Sequence, residues 1–179
     1  VIFAGNEKYV NDTVNTTFTV KAKIATAINA TAVTTTYGTS KNIVITLTDA
    51  NGNVLVGKQV TVVLNGVSKT LTTDAKGQAT YAIGTKLAVK KYDATVTFAG
   101  DDGYVKSTGT AKVTVNKAKS VLTAKKKTFK VKKAKKYSIT LKSGKVAIKK
   151  VKLTLTGKFK GKKIKITVKT DKKGKATFN

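Results

Sequence analysis

The chain has 179 residues, which at roughly 150 residues per domain suits one or two domains. Its 36 cationic side chains are all lysine, they face 8 carboxylates for a net charge of +28, and His, Cys, Met, Trp and Pro are absent. These zeros exclude a Cys/His zinc centre, a haem ligand, a disulfide framework and any Ser-His-Asp or Cys-His nucleophile. No apolar run of about 18 residues offers a membrane span or a signal peptide, and the missing Met marks Val1 as the start of a processed or excised chain.

The apolar residues are mostly Val, Ile, Leu and Ala interleaved with Thr and Lys, a mixture that suits strands with one buried and one wet face. In chain order, period-two alternation appears in Ile43-Val44-Ile45-Thr46-Leu47-Thr48, in Val60-Thr61-Val62-Val63-Leu64 and in Lys91 through Phe98. It returns in Lys112-Val113-Thr114-Val115 and in Val151-Lys152-Leu153-Thr154-Leu155. Turn signals separate these runs: Asn51-Gly52-Asn53, Asn65-Gly66, Asp74 through Gly77, Asp101-Asp102-Gly103 and Asp171 through Gly174. No segment carries a 3.6-residue stripe. The expected fold class is all-β, with short strands arranged as immunoglobulin-like sandwiches.

The chain also repeats itself. Val1-Ile2-Phe3-Ala4-Gly5 and Tyr9-Val10 return as Val96-Thr97-Phe98-Ala99-Gly100 and Tyr104-Val105, an offset of 95. Thr73-Asp74 through Tyr81 returns as Thr170-Asp171 through Phe178, Ile45-Thr46-Leu47 as Ile139-Thr140-Leu141, and Val60 through Leu64 as Val151 through Leu155, with offsets of 97, 94 and 91. A period near 95 residues matches one immunoglobulin-like unit of about 100 residues. Residues 1–20 then correspond to the last two strands of a preceding unit, residues 21–116 form a complete unit, and residues 117–179 begin a unit that stops before its last two strands. The frame reads either as a piece of a long tandem array or as a chain in which residues 1–20 complete the open sandwich of residues 117–179, in the same chain or the next.

Thr48-Asp49-Ala50-Asn51-Gly52-Asn53-Val54-Leu55 with the following Val60-Thr61-Val62, and Thr72 through Tyr81, resemble the shared elements of bacterial immunoglobulin-like domains in surface adhesins. The lysine-rich version, with Phe98-Ala99-Gly100-Asp101 before Tyr104, is most similar to repeats in adhesin-like surface proteins of methanogenic archaea. The resemblance covers the whole chain and implies an extracellular stalk or fibre of tandem β-domains at the cell surface or wall; on the residue types present, no enzymatic activity and no cofactor are expected. Its partners would be neighbouring repeats or copies of itself. Two departures stand out: no proline near Leu55, and Lys142-Ser143-Gly144-Lys145 in place of the Asp-x-Asn-Gly turn.

Candidate chemistry is sparse. Most of the acids fall in turns, where aspartate serves local hydrogen bonding, and no pair is spaced for general acid–base work. Asp49, Asn51 and Asn53 offer oxygens at alternate positions, but a calcium loop needs six or more oxygens and usually a bidentate acid, so a hairpin turn is the expectation and no metal site is assigned. A Lys–Asn or Lys–Asp crosslink of the kind found in surface adhesins needs a buried acid, whereas alternation sets Asp93 on the wet face. Asn11, Asn15 and Asn29 head Asn-x-Thr sequons and are candidate N-glycosylation sites.

The lysines are unevenly spread. Residues 1–116 hold 12 lysines and 7 acids, residues 117–179 hold 24 lysines and 1 acid, so +23 of the charge belongs to the last part. Lys130, Lys132, Lys163 and Lys165 alternate with apolar residues and are the candidate polyanion contacts. Such a face attracts anionic wall polymer or host glycan by counterion release. Non-specific nucleic-acid binding is the remaining alternative, weakened by the lack of arginine for bidentate readout and of aromatic platforms.

Overall fold

The computed structural model describes residues 1–128 and 136–179, and the chain is all-β. Among the described residues sixteen strands run in order: β1 (Ile2–Phe3), β2 (Asp12–Thr13), β3 (Thr26–Ala30), β4 (Val33–Thr36), β5 (Lys41–Asp49), β6 (Gln59–Leu64), β7 (Val67–Thr72), β8 (Gln78–Ile83), β9 (Lys91–Phe98), β10 (Ser107–Asn116), β11 (Val121–Ala124), β12 (Tyr137–Ser143), β13 (Val146–Ala147), β14 (Lys152–Phe159), β15 (Lys162–Lys169) and β16 (Lys175–Phe178). The five alternating runs lie on β5, β6, β9, β10 and β14, and every turn signal named above sits between two strands. Contacts divide the chain into two units, one of Val1–Thr34, Ser40–Gly84 and Lys91–Thr114, the other of Thr35–Thr39, Thr85–Lys90 and Val115–Asn179.

The first unit holds most of two sheets, ordered β3-β5-β8 and β4-β10-β9-β6-β7. Each sheet buries alternate side chains: Ile43, Ile45 and Leu47 on β5, Val60, Val62 and Leu64 on β6, and Tyr92, Ala94, Val96 and Phe98 on β9. Burying a side chain of this size is worth about 1.5–3 kcal/mol, so the alternation sets the register, because a slip of one residue would turn the apolar row outward. The β6–β7 hairpin turns at Asn65 and Gly66, both with positive φ (50° and 78°), which gives the turn the twist of its flanking strands. The hairpin of β1 and β2 pairs Ile2 with Thr13 and Phe3 with Asp12. The partners 95 residues on, Thr97 with Thr108 and Phe98 with Ser107, pair in the same register between β9 and β10.

In the second unit β12 pairs with β11, β13 and β16, and β14 pairs with β15. Ile139, Ala176 and Phe178 form its core, with the half-buried Tyr137, Leu153, Leu155, Ile166 and Val168 packed against them.

Hydrogen bonds of the first unit recur here. Thr73 Oγ1 accepts from the Lys58 amide at 2.9 Å, and Thr170 Oγ1 from the Val151 amide at 3.0 Å. Asp74 Oδ1 accepts from the amides of Lys76 and Gln78, and Asp171 Oδ1 from those of Lys173 and Lys175. Thr61 and Thr70 share a cross-strand hydroxyl bond, as do Thr154 and Thr167.

These bonds correct one alignment. Lys58 corresponds to Val151 and Thr61 to Thr154, an offset of 93 rather than 91. A shift of two residues keeps every side chain on its face, so alternation alone was blind to it. The difference is taken up at the hairpin tip, where β14–β15 is longer and turns at Lys160 and Gly161 (φ 47° and 77°) in place of Asn65 and Gly66.

Candidate functional site

The longer hairpin builds the most unusual surface of the second unit. Along β14 and β15 the residues Leu153, Leu155, Ile166 and Val168 turn toward the core, so the alternate residues face solvent. On that outer face Lys152 lies opposite Lys169, Thr154 opposite Thr167, Thr156 opposite Lys165, and Lys158 opposite Lys163. All five lysines are exposed. Directly opposed residues in an antiparallel pair have Cβ atoms about 4.5–5.5 Å apart, and like charges there destabilise the pair.

The second unit's stretch from Val115 onward carries one carboxylate side chain, Asp171, and its Oδ1 is already held by two backbone amides. Those amides, Lys175 first and Lys173 next, hold its pKa below the usual aspartate range. The five exposed ammonium groups thus share one face of the hairpin. Lysine supplies point charges there and no planar fork.

Of the four lysines expected to contact polyanion, Lys163 and Lys165 lie on this face, while Lys130 and Lys132 lie outside the described residues. Reasoning from single strands missed Lys152, Lys158 and Lys169, which join the face across the ladder. The alternation of Lys152-Leu153-Thr154-Leu155 was the available signal. The Lys158–Lys163 pair exists because of the lengthened tip, and Lys160-Gly161 is a weaker turn signal than Asn-Gly.

The other candidates resolve locally. Asp93 stands exposed between buried Tyr92 and Ala94 and pairs with Lys112 at 2.9 Å, the placement alternation required. Asp49 Oδ1 accepts from the amides of Asn51 and Asn53, and its Oδ2 from Asn53 Nδ2 at 3.0 Å. The Asn53 side chain, ahead of the backbone amides, keeps its pKa low. The carboxylate therefore closes a turn. Asp101 Oδ1 accepts from the amides of Gly103 and Tyr104, and Lys58 Nζ lies 2.6 Å from its Oδ2 and 5.0 Å from the Tyr104 ring centre. Asn11 and Asn15 are exposed, and Asn29 points outward on β3. Among the described residues, no group of three or more His, Cys, Asp or Glu side chains converges as a metal site would require, and no helix is long and apolar enough to cross a membrane.

No family model matches the chain, and no curated protein matches it. Among solved structures it is similar to the fibronectin(III)-like modules of Clostridium thermocellum CbhA, at 18% identity over 54% of this chain and 50% of that one, with a TM-score of 0.40. It is also similar to the Yersinia pseudotuberculosis adhesin InvE (20% identity, 84% of this chain and 49% of that one, TM-score 0.45). A 1.5-MDa bacterial ice-binding adhesin gives 15% identity over 97% of this chain and 59% of that one, with a TM-score of 0.42. The chain spans between 49% and 59% of the length of these solved chains. The resemblance is to bacterial adhesin and fibronectin(III)-like β-modules, at scores too low to assign a shared role.

Proposed function

We propose that the chain is a segment of an extracellular surface protein whose role is structural and adhesive. In this reading it is a stalk or fibre of tandem immunoglobulin-like sandwiches that holds a binding function away from the cell, without catalytic turnover. Residues 21–116 are one complete unit, residues 117–179 a second unit without its last two strands, and residues 1–20 the last two strands of a preceding one. The observation that carries the reading is the recurrence of one hydrogen-bond framework. The Thr73/Lys58, Asp74/Gln78 and Thr61/Thr70 bonds have counterparts at Thr170/Val151, Asp171/Lys175 and Thr154/Thr167. A unit that recurs with its turns, and not only with its composition, is what a stacked array uses.

The exposed sequons Asn11, Asn15 and Asn29 fit a glycosylated surface chain, and the lysine-rich repeats keep an archaeal origin in view. The test is antibody labelling of intact source cells, together with the intact mass of the native protein before and after deglycosylation. Surface labelling is expected; protein found only inside the cells would overturn the reading.

The lysine face of β14–β15 favours a second reading, direct binding of anionic wall polymer or host glycan by residues 117–179. Retention on a sulfated or phosphorylated polymer should fall steeply with salt. Binding insensitive to salt would remove it.

A further inference from the structure

The segment by which the chain enters residues 21–116 and the segment by which it leaves them lie side by side. Ile24 forms a parallel bridge with Tyr104; its amide donates to the Gly103 carbonyl at 2.9 Å and its carbonyl accepts from the Val105 amide at 2.8 Å. Thr26 Oγ1 donates to the Val105 carbonyl at 2.9 Å and lies 2.7 Å from Ser107 Oγ. Ile28 stands so close over Gly109 that a Cβ there would lie 2.7 Å from Ile28 Cγ2 and 3.0 Å from the Ile28 carbonyl oxygen. β4 then pairs with β10, and the Tyr37 amide donates to the Asn116 carbonyl at 2.9 Å. Residues 24–37 therefore follow residues 104–116 in the same direction.

That direction decides how these residues meet tension. The chain arrives at the Ile24 end of the pair and departs at the Asn116 end, which are opposite ends of it. A pull on the chain before and after draws the two segments past each other along their length, and every bond between them is loaded at once. Antiparallel neighbours would have both outer ends on one side and would be peeled apart one bond at a time. The load also passes straight from one segment to the other, so β5 through β9 bear none of it while the pair holds.

The bonds of the pair are sheltered. Val33 and Thr35 on β4 are buried, as are Ala111, Val113 and Val115 on β10, and Thr26 and Ser107 are half-buried. Withdrawal from water strengthens a hydrogen bond, and it keeps water from replacing the bond as it stretches. Gly109 is what allows the close approach of Ile28.

We infer that residues 21–116 carry mechanical load, with residues 24–37 and 104–116 as a shear clamp that sets how long the unit withstands tension along the chain. Forced unfolding is governed by the unfolding rate, and that rate responds only to contacts broken at the barrier. The clamp bonds are of that kind. The turn at Gly77, still intact when the clamp gives way, is not. The inference rests on the tandem-unit reading and deepens it, since a spacer is stretched whenever the binding function it holds is engaged.

The chain has no cysteine, so Val20→Cys with Lys117→Cys supplies two handles for stretching the unit within the full chain in magnetic tweezers. Opening should release about 300 Å of chain in one step. Thr26→Val, which removes the hydroxyl bonds with little change of shape, should shorten the lifetime under constant tension by about tenfold. Gly109→Ala, which drives Ile28 away, should shorten it further; if that variant does not fold, Thr26→Val and the handles decide. Gly77→Ala should lower the urea midpoint yet leave the lifetime within about twofold. Handles at Thr39→Cys and Lys117→Cys, both at the Asn116 end, should open the β4–β10 pair bond by bond at lower tension. A lifetime that tracks urea stability in every variant, a Thr26→Val unit as durable as the unaltered one, or equal tensions from both pairs of handles would each overturn the clamp. None of these results touches surface labelling, on which the tandem-unit reading is decided separately.

Discussion

The hairpins β6–β7 and β14–β15 are built on one plan and used differently. Both carry an outward pair of threonines joined by their hydroxyls, both turn through two positive-φ residues, and both lead into a threonine that accepts the backbone amide of the residue just ahead of the hairpin's first strand. Around that framework the outer positions Gln59, Ser68 and Thr72 become Lys152, Lys165 and Lys169, and the longer tip adds Lys158 and Lys163. Inward, Lys69 becomes Ile166, so the second hairpin is more apolar toward its core and more cationic toward solvent. The comparison teaches that the framework depends on the turns and on the inner row, while the outer row is free to change its charge without changing the fold.

The largest effect should come from the inner rows. Leu47→Ala, at a fully buried side chain, should cost the first unit about 3 kcal/mol in urea unfolding of the full chain. Leu155→Ala, at a half-buried side chain of the second unit, should cost about half that. Equal losses would break the comparison.

The turn glycines come next. Gly77 and Gly174 have φ of 65° and 71°, and an added Cβ would press on Val54 in one and on the Leu141 carbonyl in the other. Gly77→Ala and Gly174→Ala should each destabilise their own unit by about 2 kcal/mol. A substitution that leaves its unit's unfolding midpoint unchanged would deny that the two turns do the same work.

Acid should act on both turns. Asp74 and Asp171 are held below the ordinary aspartate pKa, chiefly by the amides of Gln78 and Lys175. A depressed folded-state pKa stabilises the fold above the unfolded value, near pH 4, and that contribution is lost as pH falls through the folded value. Thermal midpoints should therefore hold from neutral pH down to about pH 4 and then drop, less steeply in Asp171→Asn.

The smallest effect on stability belongs to the outer row. Lys163→Glu with Lys165→Glu should change the unfolding free energy by no more than about 0.5 kcal/mol while lowering the salt at which the chain elutes from a polyanion column. The same exchange at Ser68 and Thr72 should leave retention nearly unchanged, because the first unit does not carry the lysine face.

Much of the strand plan was legible in the residues. Ile43, Ile45 and Leu47 alternate with polar partners and are buried as that alternation requires, and Asp49 closes a turn because its neighbours are Asn51, Gly52 and Asn53. Asp93 faces water because Tyr92 and Ala94 do not. What stayed hidden was pairing between strands. The offset of 93 at Val151 could not be told from 91, since both keep the faces, and the cationic site appeared smaller than it is because Lys152, Lys158 and Lys169 lie across the ladder from Lys163 and Lys165.

By itself the sequence determined the class of the fold, the faces of its strands, the places of its turns and the concentration of charge after residue 116. These follow from period-two alternation and turn chemistry, which act over a few residues. Only the tertiary structure decided which strands are neighbours and which lysines share a face. Those depend on hydrogen bonds between residues far apart in the chain, whose partners no local pattern names.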